Sequence, residues 1–180
     1  QLPLHVLGIL GWPVLQVGGG RVTEVELSGT GRWAAAQRAL LEARMPVRVH
    51  DGRSYLRPVL RHLQAGGVVM TAADGTGGGE EIGPRVDCEI LGKTMPLPLG
   101  PAWLAAQSNA VLVPMSCTRN PGDGSLYLAT VGEPVDCFGT DRAALEATTR
   151  RLAEWLDQVL RDHPGDWLFW DGFRPGGLLR

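Results

Sequence analysis

The chain is short of lysine, cysteine and unbroken apolar sequence, and each shortage removes a class of function. Lys93 is the only lysine among 17 basic residues, and 19 acidic residues bring the formal net charge to −2. A balance this close to neutral produces no global basic field, so composition argues against nucleic acid as a partner. The cysteines, Cys88, Cys117 and Cys137, are odd in number and widely spaced, with no Cys-x-x-Cys pair. They support neither a zinc knuckle nor a disulfide framework, and a reducing cytoplasm is the simplest setting for them. The most apolar run, "LPLHVLGILGWPVLQV", is interrupted by His5, Gly8, Gly11 and Pro13. It falls short of the roughly 20 residues of a membrane span, and it has neither the basic leader nor the cleavage pattern of a signal peptide.

What is present suits one globular domain spanning residues 1–180, with 44% hydrophobic content and no internal repeat, linker or low-complexity tract. Residues 2–10 read as a short buried helix, and "PVLQVGGG" as a buried strand entering a glycine loop. "GRWAAAQRALLEARM" places Trp33, Ala36, Leu40 and Leu41 near one helical face, stopped by Pro46. "PVRVH" alternates as a strand. "SYLRPVLRHLQAGG" reads as a helix from near Ser54 with Leu56, Val59, Leu60 and Leu63 inward. "VVMTAAD" is an apolar run of central-strand type ending on Asp74, and ligands bind at the carboxyl ends of parallel strands.

"VDCEILG" alternates, Gly100 and Pro101 open a helix, and "AVLVPMSCTR" reads as a core strand returning through "NPGDG" into "SLYLATVGEPV". Residues 141–162 form the clearest helix, with Leu145, Thr149, Leu152, Leu156 and Val159 on its buried face. Arg150, Arg151, Glu154, Asp157 and Arg161 read as its solvated face. The alternation of helices and strands predicts an α/β fold, a mixed and largely parallel sheet flanked by helices.

Three stretches in this order carry a resemblance: "AGGVVMTAADGTGGG", "LGKTMPLPLGPAWLAAQSNAVLVPMSCTR" and the ending "HPGDWLFWDGFRP". Together they resemble the lipid A biosynthesis (lauroyl/myristoyl) acyltransferase family, part of the wider glycerolipid acyltransferase superfamily. The Gly-Pro-x-x-Leu-Ala core at 100–105 and the Val113-Pro114 pair resemble the family segment after its Phe-x-Gly-Arg turn. That turn is represented here by Leu91, Gly92 and Lys93. Pro164, Trp167, Leu168 and Trp170 resemble the closing signature, and Asp74 resembles the acid of the family's Pro-Asp-Gln block.

The resemblance implies a glycerol-3-phosphate acyltransferase-like fold. It implies transfer of a fatty acyl group from acyl carrier protein or coenzyme A to a hydroxyl of a membrane glycolipid, such as a lipid A precursor or a phosphatidylinositol mannoside. No cofactor is implied, and the setting would be the cytoplasmic face of the plasma membrane. Asp74 would orient the acceptor or a neighbouring arginine. Gly75 and Thr76 would lie at the substrate beside it, and Arg21 would take up loosely the role of an arginine after the first strand. Lys93 and Arg119 would meet phosphate groups, and Gly100 would open the helix beside the cleft. Trp12, Trp103, Phe169 and Trp170 would line an acyl groove or pack in the core.

The family's catalytic centre is a His followed, after four residues, by Asp or Glu. Alignment of the "GWPVLQV" strand places that carboxylate near Gln1 or Leu2 and the His before them, and neither is present. His5 leads at that spacing to Leu10, and His50 meets Asp51 only by adjacency. The chain is therefore expected to lack its N-terminal part, the other reading being a lipid-binding relative without transfer activity. A nucleotide enzyme is disfavoured, since neither "GGG" nor "GTGGG" opens a helix as Gly-x-Gly-x-x-Gly and Lys93 lacks the Walker spacing.

Overall fold

The computed structural model describes residues 2–18, 28–44, 46–72, 83–137, 139–167 and 170. The chain divides into two compact units, one holding the elements up to Thr71 and the other those from Arg85 onward.

The first unit runs α1 (Leu2–Ile9), β1 (Val14–Gly18), α2 (Gly29–Glu42), β2 (Val47–Asp51), α3 (Arg57–Gln64) and β3 (Val68–Thr71). Its strands form a parallel sheet in the order β2-β1-β3, with Val14 in register with Val47 and Val68. Parallel neighbours need crossovers, and α2 and α3 supply them. Leu4, Val14 and Val47 make the core, with Leu7, Val68 and Met70 packed against it. The helix expected from Ser54 begins at Arg57, because Pro58 belongs in a first turn and Ser54 N–H is engaged with the Asp51 carbonyl.

The expected inward face of α2 is corrected. Trp33, Leu40 and Leu41 are 67, 58 and 63% exposed. This alanine-rich segment forms a helix through propensity and through Ser28, whose hydroxyl accepts from Gly31 N–H, and burial contributes little.

The second unit runs β4 (Arg85–Ile90), β5 (Lys93–Pro98), α4 (Gly100–Ser108), β6 (Met115–Asn120), β7 (Asp123–Val131) and α5 (Arg142–Asp162), then a 3-10 turn, Pro164–Asp166. The β4–β5 and β6–β7 pairs are separate antiparallel hairpins. The fold is thus α/β, but the described strands form one parallel sheet and two hairpins, where a single mixed sheet was expected. The apolar stretch before Pro114 is also corrected: only Leu112 bridges, to Val135, while Val111 and Val113 are exposed. Proline cannot donate to a ladder, so regular pairing starts at Met115.

The second core collects Val86, Cys88 and Ile90 of β4, Met95 and Leu97 of β5, Ala102 of α4, Leu145, Ala153, Leu156 and Leu160 of α5, and Trp167. The alternation in β4 buries every second residue against α5. Asp141 caps α5 by accepting from Ala144 N–H, and the buried stripe follows the helical period.

Candidate functional site

Arg21, Asp74, Gly75 and Thr76 lie outside the described residues. Lys93, Gly100 and Arg119 are described, all in the second unit, and their surroundings differ.

Lys93 is exposed at the start of β5, directly after the turn Leu91-Gly92. Both turn residues have left-handed backbones, φ 53° and 72°, the combination of a two-residue type I′ hairpin turn. Glycine adopts it freely, but leucine does so at a cost. Two contacts hold Leu91 there: its side chain packs against the core, and its N–H donates to the Asp157 carboxylate at 2.6 Å. That carboxylate also accepts from Arg161 at 2.8 and 3.1 Å. The Arg161 hydrogen bond first, and then the Leu91 N–H, hold the Asp157 carboxyl below its ordinary range. Reading the charges of α5 as a solvated face missed this contact, and the only local signal, the i,i+4 pair with Arg161, does not reveal a partner on another element.

Gly100 opens α4 just beyond the far end of β5, a strand that spans roughly 17 Å from Lys93 to Pro98 at strand rise. A Cβ at Gly100 would meet nothing within 4 Å, so space does not demand glycine there. Leu99 offers the first turn of α4 no side-chain cap, leaving its N–H groups at the positive end of the helix dipole. Beside this turn Leu97, Pro98, Pro101, Thr149 and Leu152 line a shallow apolar hollow, open to solvent, of about 10 Å³. The Thr149 hydroxyl donates to the Leu145 carbonyl within α5, which leaves the lining apolar. The hollow is far below the roughly 300 Å³ at which small-molecule sites begin, with room for about one water molecule.

Arg119 lies on β6 with its backbone N–H donating to Asp166 at 3.0 Å and its guanidinium 3.7 Å from the same carboxylate. It therefore fastens the 3-10 turn to β6. Lys93 and Gly100 stand toward opposite ends of β5, and Arg119 lies on another hairpin. The closing signature forms a clasp. Trp167 is buried, Trp170 meets it edge-on with ring centroids 4.9 Å apart, and Trp170 Nε1 donates to the Pro164 carbonyl at 2.7 Å. Trp103 packs partly buried on the same core, Trp12 is exposed in the first unit, and Leu168 and Phe169 lie outside the described residues.

His62 bridges strands of the first unit. Its Nε2–H donates to the carbonyls of Pro13 at 2.9 Å and Val68 at 3.2 Å, so Nδ1 accepts from Arg48 at 3.4 Å. His50 follows on β2, where its Nε2 is buried without a hydrogen-bond partner, while Asp51 turns away to accept from Arg53 N–H. His163 caps the end of α5, and the His5 side chain lies outside the described set. Among the described residues no histidine nitrogen meets a carboxylate, no group of three or more His, Cys, Asp or Glu could hold a metal, and no helix is long and apolar enough to cross a membrane.

Comparison with known proteins adds what this geometry leaves open. Phosphatidylinositol mannoside acyltransferase of Mycobacterium tuberculosis, in strains CDC 1551 and H37Rv, is 33% identical over 82 residues. That match covers 46% of this chain and 24% of each relative, so the chain accounts for only part of their length. The family model for bacterial lipid A biosynthesis acyltransferases matches residues 37–171, from within α2 to just beyond the tryptophan clasp. The chain belongs to the bacterial lipid A biosynthesis acyltransferase family.

Proposed function

We propose that this protein transfers a fatty acyl group from a thioester, on acyl carrier protein or coenzyme A, to a hydroxyl of a membrane glycolipid. The acceptor would be a lipid A precursor or a phosphatidylinositol mannoside, reached from the cytoplasmic face of the membrane by a glycerol-3-phosphate acyltransferase-like fold. The observation that carries this reading is the family match over residues 37–171. In the reaction the acceptor oxygen attacks the thioester carbonyl, a base takes its proton, the C–S bond breaks and an ester and a thiol result.

No His–carboxylate pair exists among the described residues, so we read them as the part that holds substrate. The shallow apolar hollow at Leu97, Pro98, Pro101, Thr149 and Leu152 would touch an acyl chain without enclosing it. Lys93, exposed at the tip of the hairpin, would meet a phosphate of donor or acceptor. Arg119 would do the same while staying paired with Asp166. Asp74 would orient the acceptor hydroxyl, and Arg21, Gly75, Thr76 and Gly100 would each contact substrate.

The test is an acyl-transfer assay on the intact protein with acyl carrier protein and coenzyme A thioesters and the two acceptor classes, comparing Asp74→Asn and Lys93→Ala with the parent. Product formation with loss of at least ~100-fold in kcat/KM for Asp74→Asn is expected, as for removal of a group that orients a reacting hydroxyl. Binding of acyl thioester and glycolipid without turnover in any combination would overturn transfer and leave a lipid-binding relative.

A further inference from the structure

We propose that the outer edge of β7, which no other described strand pairs, is a self-pairing surface, where a second copy of this chain adds an antiparallel strand about a two-fold axis at Ala129. This does not depend on the acyl-transfer reading.

β7 is exposed along its whole length, with Leu126, Tyr127, Leu128 and Val131 showing 53, 51, 45 and 60% of their surface. Its sole charge is Asp123, and it carries neither the lysine nor the proline that commonly blunts an edge. Two hydrogen bonds set the phase of its ladder. Gly132 N–H donates to the Pro114 carbonyl at 2.9 Å, so even-numbered positions here face β6. Arg119, the register partner of Tyr127, gives its N–H to Asp166, which makes that pair a non-hydrogen-bonded one. Antiparallel alternation then turns the N–H and C=O of Tyr127, Ala129 and Val131 away from β6, toward the open edge.

Nearer the turn the edge is closed, because Ser125 N–H donates to the Asp123 side chain at 3.0 Å. The outer edge of β6 is likewise occupied at Arg119 by Asp166. Among the described residues the groups without a partner on this edge therefore belong to three alternate residues, Tyr127, Ala129 and Val131, and that set is symmetric about its centre. A two-fold axis at Ala129 sets Tyr127 opposite Val131 of the second copy, an aromatic and β-branched pair of the favourable kind. Ala129 meets itself, and Leu128 lies beside Thr130. The acids stay apart, since Glu133 then faces Ser125 and not another carboxylate. Two hairpins become a four-stranded sheet, which is more stable than either alone. One strand pair buries less than the roughly 1,200 Å² of a standard interface, so association is weak and concentration-dependent.

Sedimentation velocity of the intact protein across the micromolar range tests this. The parent should pass from monomer to dimer with concentration. In Ala129→Pro the lost N–H is one that only the second copy uses, so the β6–β7 ladder keeps its bonds while the dimer dissociation constant rises at least ~10-fold. Val131→Lys, which sets a charge on the open edge without touching the backbone, should weaken the dimer as well. A parent that stays monomeric throughout the range, or a dimer indifferent to both substitutions, overturns the proposal. So does a monomer that floats with anionic phospholipid vesicles but no longer does so as Val131→Asp, which would assign the edge to a lipid surface.

Discussion

Replacing Asp157 by alanine tests whether the β4–β5 hairpin is held by the helix beneath it or by its own turn. The Asp157 carboxylate accepts the Leu91 N–H at 2.6 Å from a side chain 24% exposed. A hydrogen bond to a charged acceptor contributes roughly 1.5–3 kcal/mol net, and the partial exposure confines this one to the lower half, about 1.5–2 kcal/mol. The Arg161 pair, open to solvent, adds little. Urea unfolding should therefore show Asp157→Ala less stable by about 1.5–2 kcal/mol, and Asp157→Asn, which keeps an oxygen acceptor without its charge, by about half as much. Exchange of the Leu91 amide should accelerate more than ~10-fold, as expected for a stabilisation of this size.

The acid limb gives an independent check. The folded-state pKa of Asp157 is depressed, so its contribution is fully present above the unfolded value of about 4 and disappears as pH falls through the lower folded value. The stability gap between parent and Asp157→Ala should thus be constant above pH about 4 and close below it. A gap that persists unchanged into acid, or a Leu91 amide equally protected in both proteins, would refute the reasoning.

Two further outcomes follow from the packing. In Gly67→Ala the new Cβ would stand 2.6 Å from Cδ2 and Cε1 of His62, driving the ring off the Pro13 and Val68 carbonyls. Thermal or urea unfolding should show a loss of about 2–3 kcal/mol, and adding His62→Ala should cost almost nothing more; additive losses would contradict the bridge. Burial pushes the Cys88 thiol up, so thiolate-directed alkylation of the native protein at pH about 8 should spare Cys88 until denaturant is added, and prompt labelling would contradict its place in the core.

The legible parts of the sequence were those whose burial repeats with the period of their own element. Val86, Cys88 and Ile90 alternate with exposed Asp87 and Glu89, and Leu145, Thr149, Leu152 and Leu156 hold the buried side of α5 as expected. The stripe drifts near its end, where Leu160 is buried and Val159 only half so, because 3.6 residues per turn do not follow a strict seven-residue repeat. The same period in α2 misled, since Trp33 and Leu41 have the spacing of a core face without the burial. For the candidate site, the resemblance singled out Lys93, Gly100 and Arg119, but spacing could not give their separation. Nor could it give the carboxylate of Asp166, 47 residues beyond Arg119, that engages its backbone and side chain. Such pairings depend on tertiary placement, which no local period encodes.

The leucine at the first turn position bears on the order in which this protein acquires structure. A hairpin with a two-residue loop is ordinarily among the earliest elements to close, because its contacts are local. Here the turn begins on a residue that disfavours the required backbone, and the acceptor that holds it lies 66 residues downstream. The β4–β5 hairpin is therefore adjacent in sequence but long-range in its folding. Its closure waits on the arrival of α5, and the apolar face carrying Val86, Cys88 and Ile90 stays open to other chains until that helix docks.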